Sequence, residues 1–99
     1  MSTVWYFGCM KDLPHFNQAF GQVLRARREA AGMSQRELAH RIEGVRSYVQ
    51  SLEYGRQTPT ATTIILIAEA LGTDPAEMLR DSVQAMASLE KNGVNKTPE

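Results

Sequence analysis

The sequence is sparing in the residue types that mark most specialised chemistries. It has one cysteine, Cys9, in 99 residues, so no intramolecular disulfide framework can form and nothing marks an oxidising destination. Its two histidines, His15 and His40, lack metal-ligand spacing with that cysteine. Surface or packing roles are expected of all three, and no metal site. There is no glycine-rich phosphate loop, no nucleophile–base constellation and no carboxylate pair, so catalysis is not expected and no cofactor is implied. Long hydrophobic runs are missing too. The apolar opening Val4–Cys9 is short and follows no basic stretch, which fits neither a signal peptide nor a membrane span. A cytoplasmic protein with no membrane partner is the expectation.

Net charge is also absent: 11 basic residues balance 11 acidic ones. The distribution says more than the sum. Residues 21–58 hold seven arginines (25, 27, 28, 36, 41, 46 and 56) against four glutamates (29, 37, 43 and 53), a balance of +3. Residues 59–99 hold three basic and six acidic side chains, a balance of −3. An arginine-rich half permits a nucleic-acid face without requiring one. What remains is an ordinary globular composition, 42% apolar and 22% charged, in a chain of single-domain length. Its core must be small, so helix packing or dimerisation has to supply part of the stability.

Periodicity predicts five short helices. The first spans about Asn17 to Ala31, with Phe20, Val23, Leu24 and Ala31 on one side and Gly32 as its stop. Ser34-Gln35-Arg36-Glu37 has the S-x-x-E pattern of a capping box, in which hydroxyl and carboxylate each satisfy the other residue's amide. Leu38, Ala39 and Ile42 give that second helix its inner side. The third runs from about Arg46 to Tyr54, with Val49 and Leu52 inward and Gly55 after it. Thr62–Ile67 has strand propensity. Ile64, Ile67, Ala68 and Leu71 nevertheless share a helical face between Thr60 and Gly72, and a fourth helix is expected. Asp74-Pro75-Ala76-Glu77 opens the fifth with a cap, a first-turn proline and a third-position glutamate. It carries Met78, Leu79, Val83, Met86 and Leu89, and Asn92-Gly93 should end it, leaving a frayed tail. The fold class is all-α. The join between the second and third helices is only about three residues, which forces them across one another and leaves one free to enter a groove.

Several of these residues recur in a fixed order that resembles the lambda repressor/Cro-type helix-turn-helix family, also called XRE-type. They are Leu24-x-x-x-Arg28-Glu29, Gly32-Met33-Ser34-Gln35-x-x-Leu38-Ala39 and Arg46-Ser47-Tyr48-Val49-x-x-Leu52-Glu53-x-Gly55, then Pro59 and Ile67-Ala68-x-Ala70-Leu71-Gly72. The resemblance spans Phe20 to Leu79 and implies a five-helix lambda-repressor-like DNA-binding domain. Residues 17–81 would form it, with 1–16 as an N-terminal arm and 82–99 as the end of the last helix and a flexible tail. It implies base contacts from Arg46, Ser47, Gln50 and Ser51, among which Arg46 matches the O6 and N7 acceptors of guanine. It implies phosphate contacts from Gln35, Tyr54 and Arg56, which position without reading sequence, and a salt bridge between Arg28 and Glu53. Tyr48 is open between a DNA contact and packing. One departure stands out. Where relatives place glycine, an apolar residue and a serine or threonine cap, this chain has Glu43, Gly44 and Val45. Either Gly44 takes a positive φ in a rearranged turn or Glu43 holds one with strain, and valine is a poor cap.

Function follows from the resemblance: sequence-specific binding of double-stranded DNA by a dimeric transcriptional regulator, more often a repressor, on a palindromic operator. Two copies of the third helix would sit about 34 Å apart on one face of the duplex. Two surfaces are candidates for pairing. One is the last helix, whose stripe of Leu79, Val83, Met86 and Leu89 would be domain core at its start and dimer interface later; the other is the strand-prone window Val4-Trp5-Tyr6-Phe7, unless that window is a leader ahead of a start at Met10. An antitoxin, repressing its own operon and binding a toxin protein, is the alternative, and an adaptor that has lost DNA binding is a third.

Overall fold

The computed structural model describes residues 13–96, and the side chains of 13–91. Val4–Phe7, Cys9, Met10 and the last three residues lie outside the described region, and so does the expected N-terminal arm up to residue 12; residues 14–16, also assigned to it, belong to α1. The described residues form five helices and no strand: α1 (Pro14–Ala30), α2 (Gln35–Arg41), α3 (Arg46–Glu53), α4 (Ala61–Leu71) and α5 (Pro75–Lys96). None of these helices is long and apolar enough to cross a membrane.

Local chemistry sets the starts. Pro14 stands at the head of α1, where a fixed φ suits the helix and the missing N–H costs nothing; the helix therefore begins three residues before the expected Asn17. Ser34 Oγ accepts from the Glu37 amide at 3.0 Å while the Glu37 carboxylate accepts from the Ser34 amide at 3.1 Å. Thr60 Oγ1 accepts from the Thr63 amide at 3.1 Å and helps hold the β-branched Thr62–Ile67 run in a helix. Asp74 Oδ1 accepts from the Ala76 amide at 3.1 Å. Two helices start without a side-chain cap, α1 from Leu13 and α3 from Val45, and α3 lacks the first-turn proline that α1 has.

The ends share one motif. After α1, the amides of Gly32 and Met33 donate to the carbonyls of Glu29 and Arg28. This paired closure, one bond from the left-handed residue and one from its successor, is a Schellman motif. It recurs after α3 at Gly55 and Arg56, and after α4 at Gly72 and Thr73. Glycine occupies the left-handed position in all three, with φ of 69°, 75° and 71°. After α2 the same two bonds run from Glu43 to His40 and from Gly44 to Ala39. Here the left-handed residue is Glu43, with φ 56°. Gly44 is one place too late to relieve it, so of the two open readings of this turn the strained glutamate is the one adopted.

All five helices feed one core. Phe20 and Leu24 of α1, Leu38 and Ala39 of α2, Val49 and Leu52 of α3, Ile67 and Ala68 of α4, and Met78 of α5 are buried together. The most extensive pairing is between α1 and α5, fastened at one end by Arg27, whose guanidinium bonds Thr73 Oγ1 at 2.5 Å and the Asp81 carboxylate. Three expectations need correction. Ala31 is exposed because it lies beyond the last turn of α1. At the start of α5 the inward positions are Met78 and Ser82, both fully buried, while Leu79 and Val83 face outward. Ser82 tolerates burial because its hydroxyl donates to the Met78 carbonyl at 2.8 Å. Finally, α5 does not stop at Asn92-Gly93 but continues to Lys96.

Candidate nucleic-acid interface

The helix pair α2–α3 is held from behind by α1. Gly21 lies within α1 and is buried, directly against the C-terminal end of α3. A Cβ there would lie 2.5 Å from the Glu53 carbonyl oxygen and 2.6 Å from that of Leu52. The two backbones approach as closely as they do because no side chain intervenes. Gly55, just past α3, packs against the backbone of Gln18 in the same way, its virtual Cβ 3.0 Å from the Gln18 Cα. Asn17 Nδ2 then donates to Thr58 Oγ1 at 2.9 Å, so the first two turns of α1 fix both the end of α3 and the loop beyond it. Sequence reasoning missed Gly21. The available signal was a glycine inside an otherwise helical pattern, which costs about 1 kcal/mol against alanine and so implies a packing reason.

A buried ion pair joins the same elements. Arg28 donates from Nε to one Glu53 carboxylate oxygen at 2.5 Å and from Nη2 to the other at 3.1 Å, and its Nη1 donates to the Met33 carbonyl at 2.8 Å. The side chains retain only 10% and 3% of their exposure. The Glu53 hydrogen bond, outweighing burial and aided by the charges of Glu53 and Glu29, raises the Arg28 pKa above its ordinary value, so the guanidinium stays protonated. Gln35 completes the cluster: its Nε2 donates to Glu53 Oε1 at 3.0 Å. One carboxylate at the end of α3 thus binds the end of α1 and the start of α2, and this bidentate geometry is stiff.

With Val49 and Leu52 turned inward, the opposite side of α3 faces out. Arg46 and Ser47 are exposed at its first turn, and Gln50 and Ser51 are half-buried further along. Tyr48 belongs to neither group, since its hydroxyl meets Thr63 Oγ1 at 3.2 Å and its ring packs on the core. Beyond α3, Tyr54 is 57% exposed and the Arg56 guanidinium sits 5.1 Å from the centre of its ring. That stacking pre-orients the arginine at the surface. Of the residues expected to touch DNA, the structure places Arg46, Ser47, Gln50, Ser51, Tyr54 and Arg56 on or just past one helix. Gln35 stands apart, half-buried with its amide turned to Glu53. Arg28, Ser34, Gln35, Arg36 and Arg46 together line an open depression between α2 and α3. The described residues include no cluster of three or more histidine, cysteine, aspartate or glutamate side chains able to hold a metal ion.

The comparisons with known proteins agree with this architecture. A helix-turn-helix family model matches residues 24–78, more than half of the chain. The uncharacterized HTH-type transcriptional regulator y4dJ of Sinorhizobium fredii (strain NBRC 101917 / NGR234) is 40% identical over 55 residues, covering 56% of this chain and 70% of that protein. Among solved structures, the clp gene regulator ClgR from Corynebacterium glutamicum aligns with a TM-score of 0.69 at 27% identity, over 85% of this chain and 96% of that one. The restriction-modification controller protein C.AhdI from Aeromonas hydrophila aligns with a TM-score of 0.65 at 37% identity, over 69% of this chain and 99% of its own. What the two solved regulators have in common with this chain is the fold, over 69–85% of its length. The chain belongs to the lambda repressor/Cro-type (XRE-type) helix-turn-helix family of DNA-binding transcriptional regulators.

Proposed function

We propose that this chain binds double-stranded DNA sequence-specifically as a homodimer and represses transcription, with α3 in the major groove. The observation that supports it best is the division of α3. Val49 and Leu52 are locked in the core while Arg46 and Ser47 stand exposed at its first turn. Arg46 donates to a guanine edge, Ser47 and Ser51 contribute weaker contacts, and Gln50 reaches an adenine or a neighbouring base. Tyr54 and Arg56 hold the adjacent backbone, and Gln35 contributes only with the groups that Glu53 leaves free. Repression follows from occupancy: a domain gripping the duplex blocks whatever else needs that DNA.

An α3 of eight residues buries too little alone for useful operator affinity, so a second copy is part of the proposal. Its surface is the outward face of α4 and α5. Ile65, Leu79 and Val83 remain 43–45% exposed, and Ile65 and Leu79 share an apolar groove with Ala61, Ile64, Pro75 and Ala76. Fluorescence anisotropy with duplex DNA from upstream of its coding region tests the reading, with salt varied at fixed protein. The logarithm of affinity should fall linearly with the logarithm of salt, and unrelated duplex should bind at least about 10³-fold more weakly. Equal affinity for all duplexes would defeat the claim of specificity.

A further inference from the structure

Arg36 and Arg46, the two arginines of α2 and α3 that line the depression between these helices, have no ion-pair partner among the described residues. Arg36 is exposed in the first turn of α2, Arg46 is exposed at the start of α3, and both line the depression that also includes Ser34, Gln35 and Arg28. The carboxylates nearby are already engaged. Glu53 is held by Arg28 and Gln35, and Glu37 accepts from the Ser34 amide. The depression therefore has an ion-paired Arg28 in its lining and, at its rim, two arginines that no carboxylate binds. Gln35, the residue its family resemblance puts on a phosphate, spends a side-chain N–H inward on Glu53.

We infer that Arg36 is the residue that grips a DNA backbone phosphate at this depression, beside Arg46 reaching a base edge. The inference rests on the DNA-binding reading above. A guanidinium offers paired donors that match phosphate oxygens, and it keeps its charge at every working pH. A neutral glutamine amide does neither.

Salt dependence separates the candidates, because only a cation that neutralises a phosphate releases a counterion. The full chain is titrated with a labelled duplex containing its selected site, from about 50 to 200 mM salt. For Arg36→Ala the slope of log affinity against log salt should become shallower by about 0.9 per chain. Affinity should fall by the same factor on every duplex tested, and base preference should not change. Gln35→Ala should leave the slope as it is, and Arg36→Lys should keep it. Arg36→Gln repeats the measurement with a polar but uncharged side chain, and a thermal melt of each variant checks the fold. If Arg36→Ala and Arg36→Gln keep the wild-type slope and affinity while Arg46→Ala still relaxes one base position, the Arg36 assignment is wrong and DNA reading by α3 stands. A change in base preference on losing Arg36 also overturns it. A wild-type chain with no salt-dependent binding to any duplex removes both ideas.

Discussion

Gly21→Ala sets two effects of opposite sign against each other. In an exposed helix the exchange stabilises by about 1 kcal/mol, because alanine is the better helix former. Here the new methyl would lie 2.5, 2.6 and 2.9 Å from backbone atoms of Leu52 and Glu53, which cannot swing aside as a side chain end could. Restoring tolerable contact requires α1 and α3 to separate by roughly 0.5–0.9 Å, a gap that forfeits a quarter to a half of each dispersion contact across it. Phe20, Leu24 and Leu52 sit beside this seam and are fully buried. Overpacking of this kind costs about 1–3 kcal/mol, and a rigid backbone obstacle places it near the upper end. The net expectation is a loss of about 1–2 kcal/mol after the helix gain, or roughly 5–15 °C in the thermal midpoint of a domain this small. Urea titration and thermal melting followed by circular dichroism measure it. DNA affinity should drop as well, because the same seam orients α3. A variant more stable than the wild type would show that the close approach is absent and that helix propensity alone governs the site.

The Arg28–Glu53 pair makes a second prediction: Glu53→Gln or Arg28→Met alone should destabilise by about 3–5 kcal/mol, because a buried charge loses its partner. Removing both with apolar residues should cost less than the sum of the singles, as a double-mutant cycle in urea would show. At the turn between α2 and α3, Glu43→Gly should stabilise by about 1 kcal/mol by relieving a left-handed glutamate, and Val45→Ser should add about 0.5–2 kcal/mol by capping α3. Denaturant midpoints unchanged by both would refute the strain and cap argument. Leu79→Asp should give a folded monomer by sedimentation velocity, with weakened operator binding, since Leu79 is 43% exposed and contributes little to the monomer's core. An unchanged dimer would place the pairing surface elsewhere.

Much of the scaffold was legible because its signals are short and chemical. The Ser34–Glu37 capping box, the Thr60 cap and the stops at Gly32, Gly55 and Gly72 are each decided by a few neighbouring atoms, and each occurs where the pattern put it. The apolar positions Leu38, Val49, Leu52 and Ile67 face the core for the same reason of spacing. What sequence could not separate were choices made by distant parts of the chain. Met78 and Leu79 are adjacent and both apolar, so periodicity cannot say which points inward; packing against α1 decides for Met78. Gly21 matters only because α3 returns to it some thirty residues later. Gln35 fits a phosphate contact by its place in the motif, yet its amide finds Glu53, a partner that only the folded arrangement brings near. The turn at Glu43–Val45 is open between two conformations in the sequence, and the Schellman closure it shares with the ends of α1, α3 and α4 puts the left-handed residue at the glutamate. Pro14 carries a helix-start signal, and it places the head of α1 three residues before Asn17.

The proposed reading of DNA turns on Arg46, at the exposed start of a core-anchored α3, contacting a base. The most direct measurement is selection of binding sites from a randomised duplex pool by wild-type protein and by Arg46→Ala, with every base position then compared. The wild type should select a two-fold symmetric site. The variant should lose a guanine preference at one position per half-site, worth about 1–3 kcal/mol, with the other positions intact. Identical preferences for both proteins, or an even loss of affinity across all sequences, would contradict that contact.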